Sequence, residues 1–146
     1  MSVDFERFNP HLADQLLDAA VTAGGLAGYL GFRHTEFIAG RLVAEMDARD
    51  DLKTPFGNLH GGCLSAMVDH CLGVVFYPVI PEIMGRDNGV QAEPPATGVH
   101  RTCVAVADIV SLGSTSGVAR IDVINDGRAV CAAQGTVTVV SGRAAS

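Results

Sequence analysis

The sequence predicts an α+β fold, with one long buried helix wrapped by a curled antiparallel sheet. Three observations lead there. Residues 61–79 are apolar nearly all round, as expected of a helix with no wet face. Stretches with a period of two lie on both sides of it, which is the mark of half-buried strands. Glycine-containing turns separate those stretches at hairpin spacing.

Size and composition limit the rest. The 146 residues are 48% apolar and 18% charged, so a single globular domain spanning 1–146 is expected rather than a disordered chain. The net charge of −6 argues against nucleic-acid binding, which needs a basic face. Lys53 is the single lysine and the arginines are scattered, so a phosphate-bearing ligand would rely on few arginines or on helix N-termini. Met1–Phe8 lacks the order of a signal peptide and no run has the length of a membrane span, which makes the cytoplasm the default expectation. Cys63, Cys71, Cys103 and Cys131 stand apart, without ligand spacing, and read as reduced, buried side chains.

The elements follow in order. Asn9-Pro10 opens a helix with Leu12, Leu16 and Leu17 on one face, and Gly24-Gly25 ends it. Residues 29–38 and 41–49 read as a hairpin around Gly40, with Leu42, Ala44, Met46 and Ala48 on its buried side. Residues 50–58 form a loop. The apolar helix would span roughly 28 Å before Pro78 and Pro81 close it. Three further strands are expected at 102–112, 118–125 and 128–140. Asn125-Asp126-Gly127 between the last two is a strong hairpin signal.

The chemistry gathers where the loop enters the long helix, at His60-Gly61-Gly62. Paired glycines admit a sharp turn and a close ligand. The first amides of a helix have no intrahelical acceptor and suit a carbonyl oxygen that is becoming negative. A tight turn capped by a histidine explains the same residues without catalysis. Asp69 adds weight to the functional reading, because a carboxylate on an apolar helix is costly unless paired or used. Gly62, Ala66 and Gly73 on its face are small and leave room beside it. Such a carboxylate can serve as general base on water or as nucleophile toward an acyl carbon. His70 points elsewhere on the helix and reads as structural.

Gly57-x-x-His60-Gly61-Gly62, with Asp69 nine residues after the histidine, resembles the signature of PaaI-like hot-dog acyl-CoA thioesterases. The order of elements and the closing Gly127-Arg128 to Gly135-Thr136 are similar too, over roughly residues 10–83 and 104–140. The resemblance implies a hot-dog fold, a homodimer or dimer of dimers, and active sites at the subunit interface. It also implies hydrolysis of aliphatic or aromatic acyl-CoA thioesters to free acid and CoA, with no metal or redox cofactor. On the matching positions, Gly61 would present its amide to the thioester carbonyl, His60 would orient the loop, and Asp69 would be base or nucleophile. Gly62, Thr54, Asn58 and Ala66 would line the substrate. Relatives often carry a side-chain amide where Thr54 stands.

One stretch departs from the family. The resemblance calls for a strand of the form T-x-x-x-x-x-N-x-x-x-P after the long helix, but residues 84–101 show almost no apolar alternation and contain Pro94-Pro95. This predicts an irregular loop. Codons permitted for residues 84–101, read one base later, can encode WDATTEFKLNLLRPVSTG, which restores the pattern. A compensated pair of frameshifts, in the gene or in its reading, is therefore the alternative to a divergent loop. The disruption also favours one rival to a thioesterase, a non-catalytic acyl-thioester binder or inactive paralogue. A hot-dog hydratase or dehydratase is the enzymatic rival, though the Asp/His arrangement it would need is not found in the sequence, and a purely structural oligomer is the remaining alternative.

Overall fold

The computed structural model describes residues 3–22, 24–80, 86–92 and 101–139. Helix α1 (Pro10–Thr22) and the short α2 (Gly25–Leu30) precede a hairpin of β1 (Arg33–Ile38) and β2 (Arg41–Asp47). A 3-10 turn at Asp50–Leu52 and a loop lead into the central helix α3 (Gly61–Val74). Four strands follow: β3 (Arg86–Ala92), β4 (Thr102–Leu112), β5 (Ser116–Asn125) and β6 (Arg128–Thr138). They form a sheet of order β1-β2-β4-β5-β6-β3 in which each neighbouring pair is antiparallel. This is the α+β arrangement of the hot-dog class, a helix lying in a curved antiparallel sheet.

Local chemistry accounts for the boundaries. The Asn9 side chain caps α1, accepting from the Leu12 amide at 3.1 Å. The Asn9 amide in turn donates to the Pro78 carbonyl at 2.8 Å, which ties the start of α1 to the end of the central segment. Asp126 and Gly127 both have positive φ, 49° and 73°, as a two-residue hairpin of the I′ type requires. Gly25 and Gly31 bracket α2, also with positive φ. That helix occupies residues expected to be partly turn and partly strand, and it delays β1 to Arg33.

The core lies between α3 and one face of the sheet. Leu42, Ala44 and Met46 on β2 point inward with Cys103, Ala105 and Ala107 on β4 and Ala119, Ile121 and Val123 on β5. From α3 come Leu64, Met67, Val68, Cys71 and Leu72, and just beyond it Val75 and Phe76. Two inward glycines let the helix lie close. A Cβ on Gly135 would collide with Leu72, and one on Gly117 with Phe76.

Three expectations need correction. Burial of α3 is one-sided within the chain: Gly62, Ser65 and Asp69 are exposed. The sheet curves around one flank of the helix, so the apolar character of the sequence overstated its cover. The helix is also shorter than residues 61–79, because turns take over after Val74. Within the stretch expected to be a loop, residues 86–92 form β3 at the free edge of β6, with a register irregularity between Asp87 and Val90. Its main-chain pairing with β6 holds this polar segment as a strand at the edge of the sheet. Pro94-Pro95 and the rest of 93–100 lie outside the described residues, as do 81–85. Among the described residues, no helix is long and apolar enough to cross a membrane.

Candidate functional site

A compact turn delivers the chain to the N-terminus of α3. The Thr54 amide donates to the Asn58 carbonyl at 2.7 Å, and the Gly57 amide donates back to the Thr54 carbonyl at 2.9 Å. Gly57 has φ +83°, a value L side chains rarely adopt. The Thr54 hydroxyl accepts from the Phe56 amide at 3.3 Å, so it stabilises the turn itself. Lys53 and Leu59 form a bridge beneath, and the His60 amide donates to the Leu52 carbonyl at 2.9 Å. The outcome is a braced loop with Phe56 at its tip, 90% exposed. The Pro-Phe-Gly sequence of the tip was its only signal in the chain.

His60 is the N-cap of α3, with φ −64° and ψ 131°. Its Nδ1 accepts the Gly62 amide at 2.9 Å, so the neutral ring carries its proton on Nε2. A Cβ on Gly62 would stand only 3.0 Å from that Nδ1, and a side chain there would press on the imidazole. With the Gly62 amide engaged by His60, the Gly61 amide is left as the first donor of the helix, directed away from its body. An amide placed this way, at the positive end of the helix dipole, can stabilise an oxyanion.

The site residues named from the sequence fall into two groups. Thr54, Asn58, His60, Gly61 and Gly62 meet at the loop-to-helix junction. Ala66 and Asp69 lie further along α3, and with Gly62 they share the face that the sheet leaves open. Asp69 is exposed in the single chain, so the burial argument made for it from the sequence does not hold there. Eight residues separate Gly61 from Asp69, roughly 12 Å along the helix axis.

Other polar groups near this face are already engaged. Arg49 pairs with Asp51 at 3.1 Å, donates to the Tyr29 carbonyl at 2.8 Å and lies over the Tyr29 ring. Burial raises the Cys63 pKa, which keeps its sulfur a thiol. Burial likewise pushes Cys71 up to about 12 and Cys103 to about 11. His70 faces the other way and contacts His34, a partner 36 residues distant that no local pattern revealed.

The architecture has close counterparts among solved structures. A single-substitution variant of thioesterase PA1618 from Pseudomonas aeruginosa superposes with a TM-score of 0.77 at 27% identity, over 86% of this chain and 92% of that one. Thioesterase HI1161 from Haemophilus influenzae gives 0.81 at 18% identity, over 96% of both chains. The PaaI protein of the Escherichia coli phenylacetic acid degradation operon gives 0.80 at 20% identity, over 90% and 96%. The fold is that of the PaaI-like hot-dog thioesterases. No family model and no curated protein matches the sequence itself.

Proposed function

We propose that the protein is a thioester hydrolase that cleaves acyl-CoA, without metal or redox cofactor, in sites assembled between two copies of the chain. The likeness to solved thioesterases supports the reaction class. The observation that carries the site is the spacing of Gly61 and Asp69. A carbonyl held at the Gly61 amide is about two helical turns from the Asp69 carboxylate of the same helix. That is too far for attack at the carbonyl carbon, so the carboxylate must come from a second copy. The open face of α3 that bears Gly62, Ser65 and Asp69 suits such an approach. Cys71 and Cys103, held as thiols by burial, fit a reducing, cytoplasmic setting.

In this reading the thioester oxygen accepts the Gly61 N–H. The Asp69 carboxylate of the opposing copy either takes a proton from water as its oxygen adds to the carbonyl carbon, or adds itself to give an anhydride that water then opens. Collapse of the oxyanion breaks the C–S bond. The thiolate leaves and is protonated as free CoA, and the acyl group departs as a carboxylic acid. His60 acts through Gly62 by fixing the loop that presents the Gly61 amide.

Subunit mixing tests this. Asp69→Ala and Gly61→Pro chains should each fail to release thiol from acyl-CoA, while their mixture regains activity through the one intact site of each mixed dimer. A mixture as inactive as its parents, with mixed dimers demonstrated, would refute the shared site. A second reading has one observation in its favour. Strand β3, at the position of the family strand that lines the acyl site, is polar and irregular. An inactive acyl-thioester binder would be stabilised thermally by acyl-CoA yet release no thiol.

A further inference from the structure

We propose that His34 and His70 form an acid-sensitive latch that holds α1 against the sheet and the central helix at neutral pH and frees it on acidification. His34 lies on β1 and His70 on α3, and their Nε2 atoms are 2.8 Å apart. The His34 Nδ1 is 2.9 Å from the Leu16 carbonyl of α1. Three elements therefore meet through two imidazoles. Phe32 packs on His70 with ring centroids 5.0 Å apart, and Phe37 meets His34 edge-on.

The proton arrangement follows from these contacts. A carbonyl can only accept, so His34 donates from Nδ1. In the neutral pair one Nε2–H bridges to the lone pair of the other Nε2. With His34 Nδ1 already protonated, the donor is His70. One added proton can be held if His34 carries both hydrogens and His70 shifts its own to Nδ1. A second cannot, because two N–H groups would then oppose each other across 2.8 Å. Full protonation must part the rings; the Leu16 carbonyl favours a charged His34, but burial outweighs it, so the charged pair gains water by release of α1.

Among the described residues, no opposite charge offsets this one. The ionisable groups on the surrounding elements are His11, Asp14 and Asp18 on α1, Tyr29 on α2, Arg33 and Glu36 on β1, Arg41, Glu45 and Asp47 on β2, and Cys63, Asp69 and Cys71 on α3. None of them acts on the titration of either ring. Burial lowers His34, against a smaller rise from the Leu16 carbonyl. Burial, then repulsion by His34, lowers His70 from 6.5 to about 4. Both native values lie below the unfolded one. The latch is thus fully closed above about 6.5 and is lost as the pH falls from there through about 4. Among the described residues no third ligand accompanies the pair to make a metal centre, so the proton is the effector that fits.

Hydrogen exchange on the full chain between about pH 7 and about pH 4.5 tests the latch. After correction for intrinsic rates, protection of residues 10–22 should fall about tenfold per pH unit for each proton taken up, while β4–β6 stay protected. The double variant His34→Gln/His70→Gln should lose that pH dependence. Protection of α1 that tracks β4–β6 throughout, or an unchanged slope in the variant, would overturn the proposal. If the variant does not fold, NMR titration of the wild-type rings decides. Midpoints well below 6.5 that coincide with α1 opening support the latch, and independent midpoints near 6.5 overturn it.

Discussion

The imidazole of His60 accepts the amide of Gly62 at 2.9 Å, and this contact sets the conformation from which the neighbouring Gly61 amide faces outward. A cap of this kind contributes about 1 kcal/mol. His60→Ala should lower the melting temperature by a few degrees and reduce thiol release more than stability alone explains. His60→Asn keeps a capping acceptor and should recover most of the stability. Thermal melts beside acyl-CoA turnover separate the two effects. Equal activity in all three proteins would show that the cap plays no part in catalysis.

Gly61→Pro isolates the proposed oxyanion donor. Proline is well tolerated at the first position of a helix, where its missing N–H has no intrahelical partner. His60 already has the extended ψ of 131° that a following proline favours. The variant should fold with a near-native melting temperature and lose on the order of 10²–10³ in kcat. Undiminished turnover would remove Gly61 from the mechanism.

Asp69 is exposed in the single chain, so Asp69→Asn should leave the protein folded. Thiol release from every acyl-CoA in a panel should nonetheless fall by orders of magnitude. Retained turnover, measured on protein shown to be folded and oligomeric, would reassign the base.

Close packing gives a prediction free of function. A Cβ on Gly135 would collide with Leu72, so Gly135→Ala should cost about 1–3 kcal/mol through overpacking. Leu72→Val in the same chain should return part of that loss, a non-additivity visible in denaturant melts. Additive losses would mean that the helix simply shifts away from the sheet.

The tryptic peptide spanning residues 87–101 decides the nature of β3. Its mass matches the chain as written if the polar edge strand is genuine. Peptides matching WDATTEFKLNLLRPVSTG would show instead that a regular, alternating strand occupies this edge, and would strengthen the case for an intact acyl site.

Much of the fold was legible because its signals were local. Asn125-Asp126-Gly127 announced its hairpin, the alternation from Leu42 to Met46 gave β2 and its buried side, and His60-Gly61-Gly62 marked the start of α3. What was not legible depended on distance. Alternation could not reveal β3, which is held by its partner β6. Apolar content could not reveal that α3 keeps an open face, because Gly62, Ala66 and Gly73 along it are small and leave the run reading as apolar. The contact of His34 with His70 joins residues that no spacing rule connects. At the candidate site, the residues of the loop and helix start were readable as a group, whereas the separation of Asp69 from them became clear only with the helix in place.

At two places the sheet brings little more than backbone to the core: Leu72 fills the space over Gly135, and Phe76 the space over Gly117. Elsewhere Leu42, Met46, Ile121 and Val123 supply bulk from the sheet itself. Sequence change in this core is uneven as a result. At the two glycines the sheet has nothing to lose by truncation and no room to grow, while the side chains above them have much to lose. Drift in the shape of the interior there has to begin at Leu72 or Phe76.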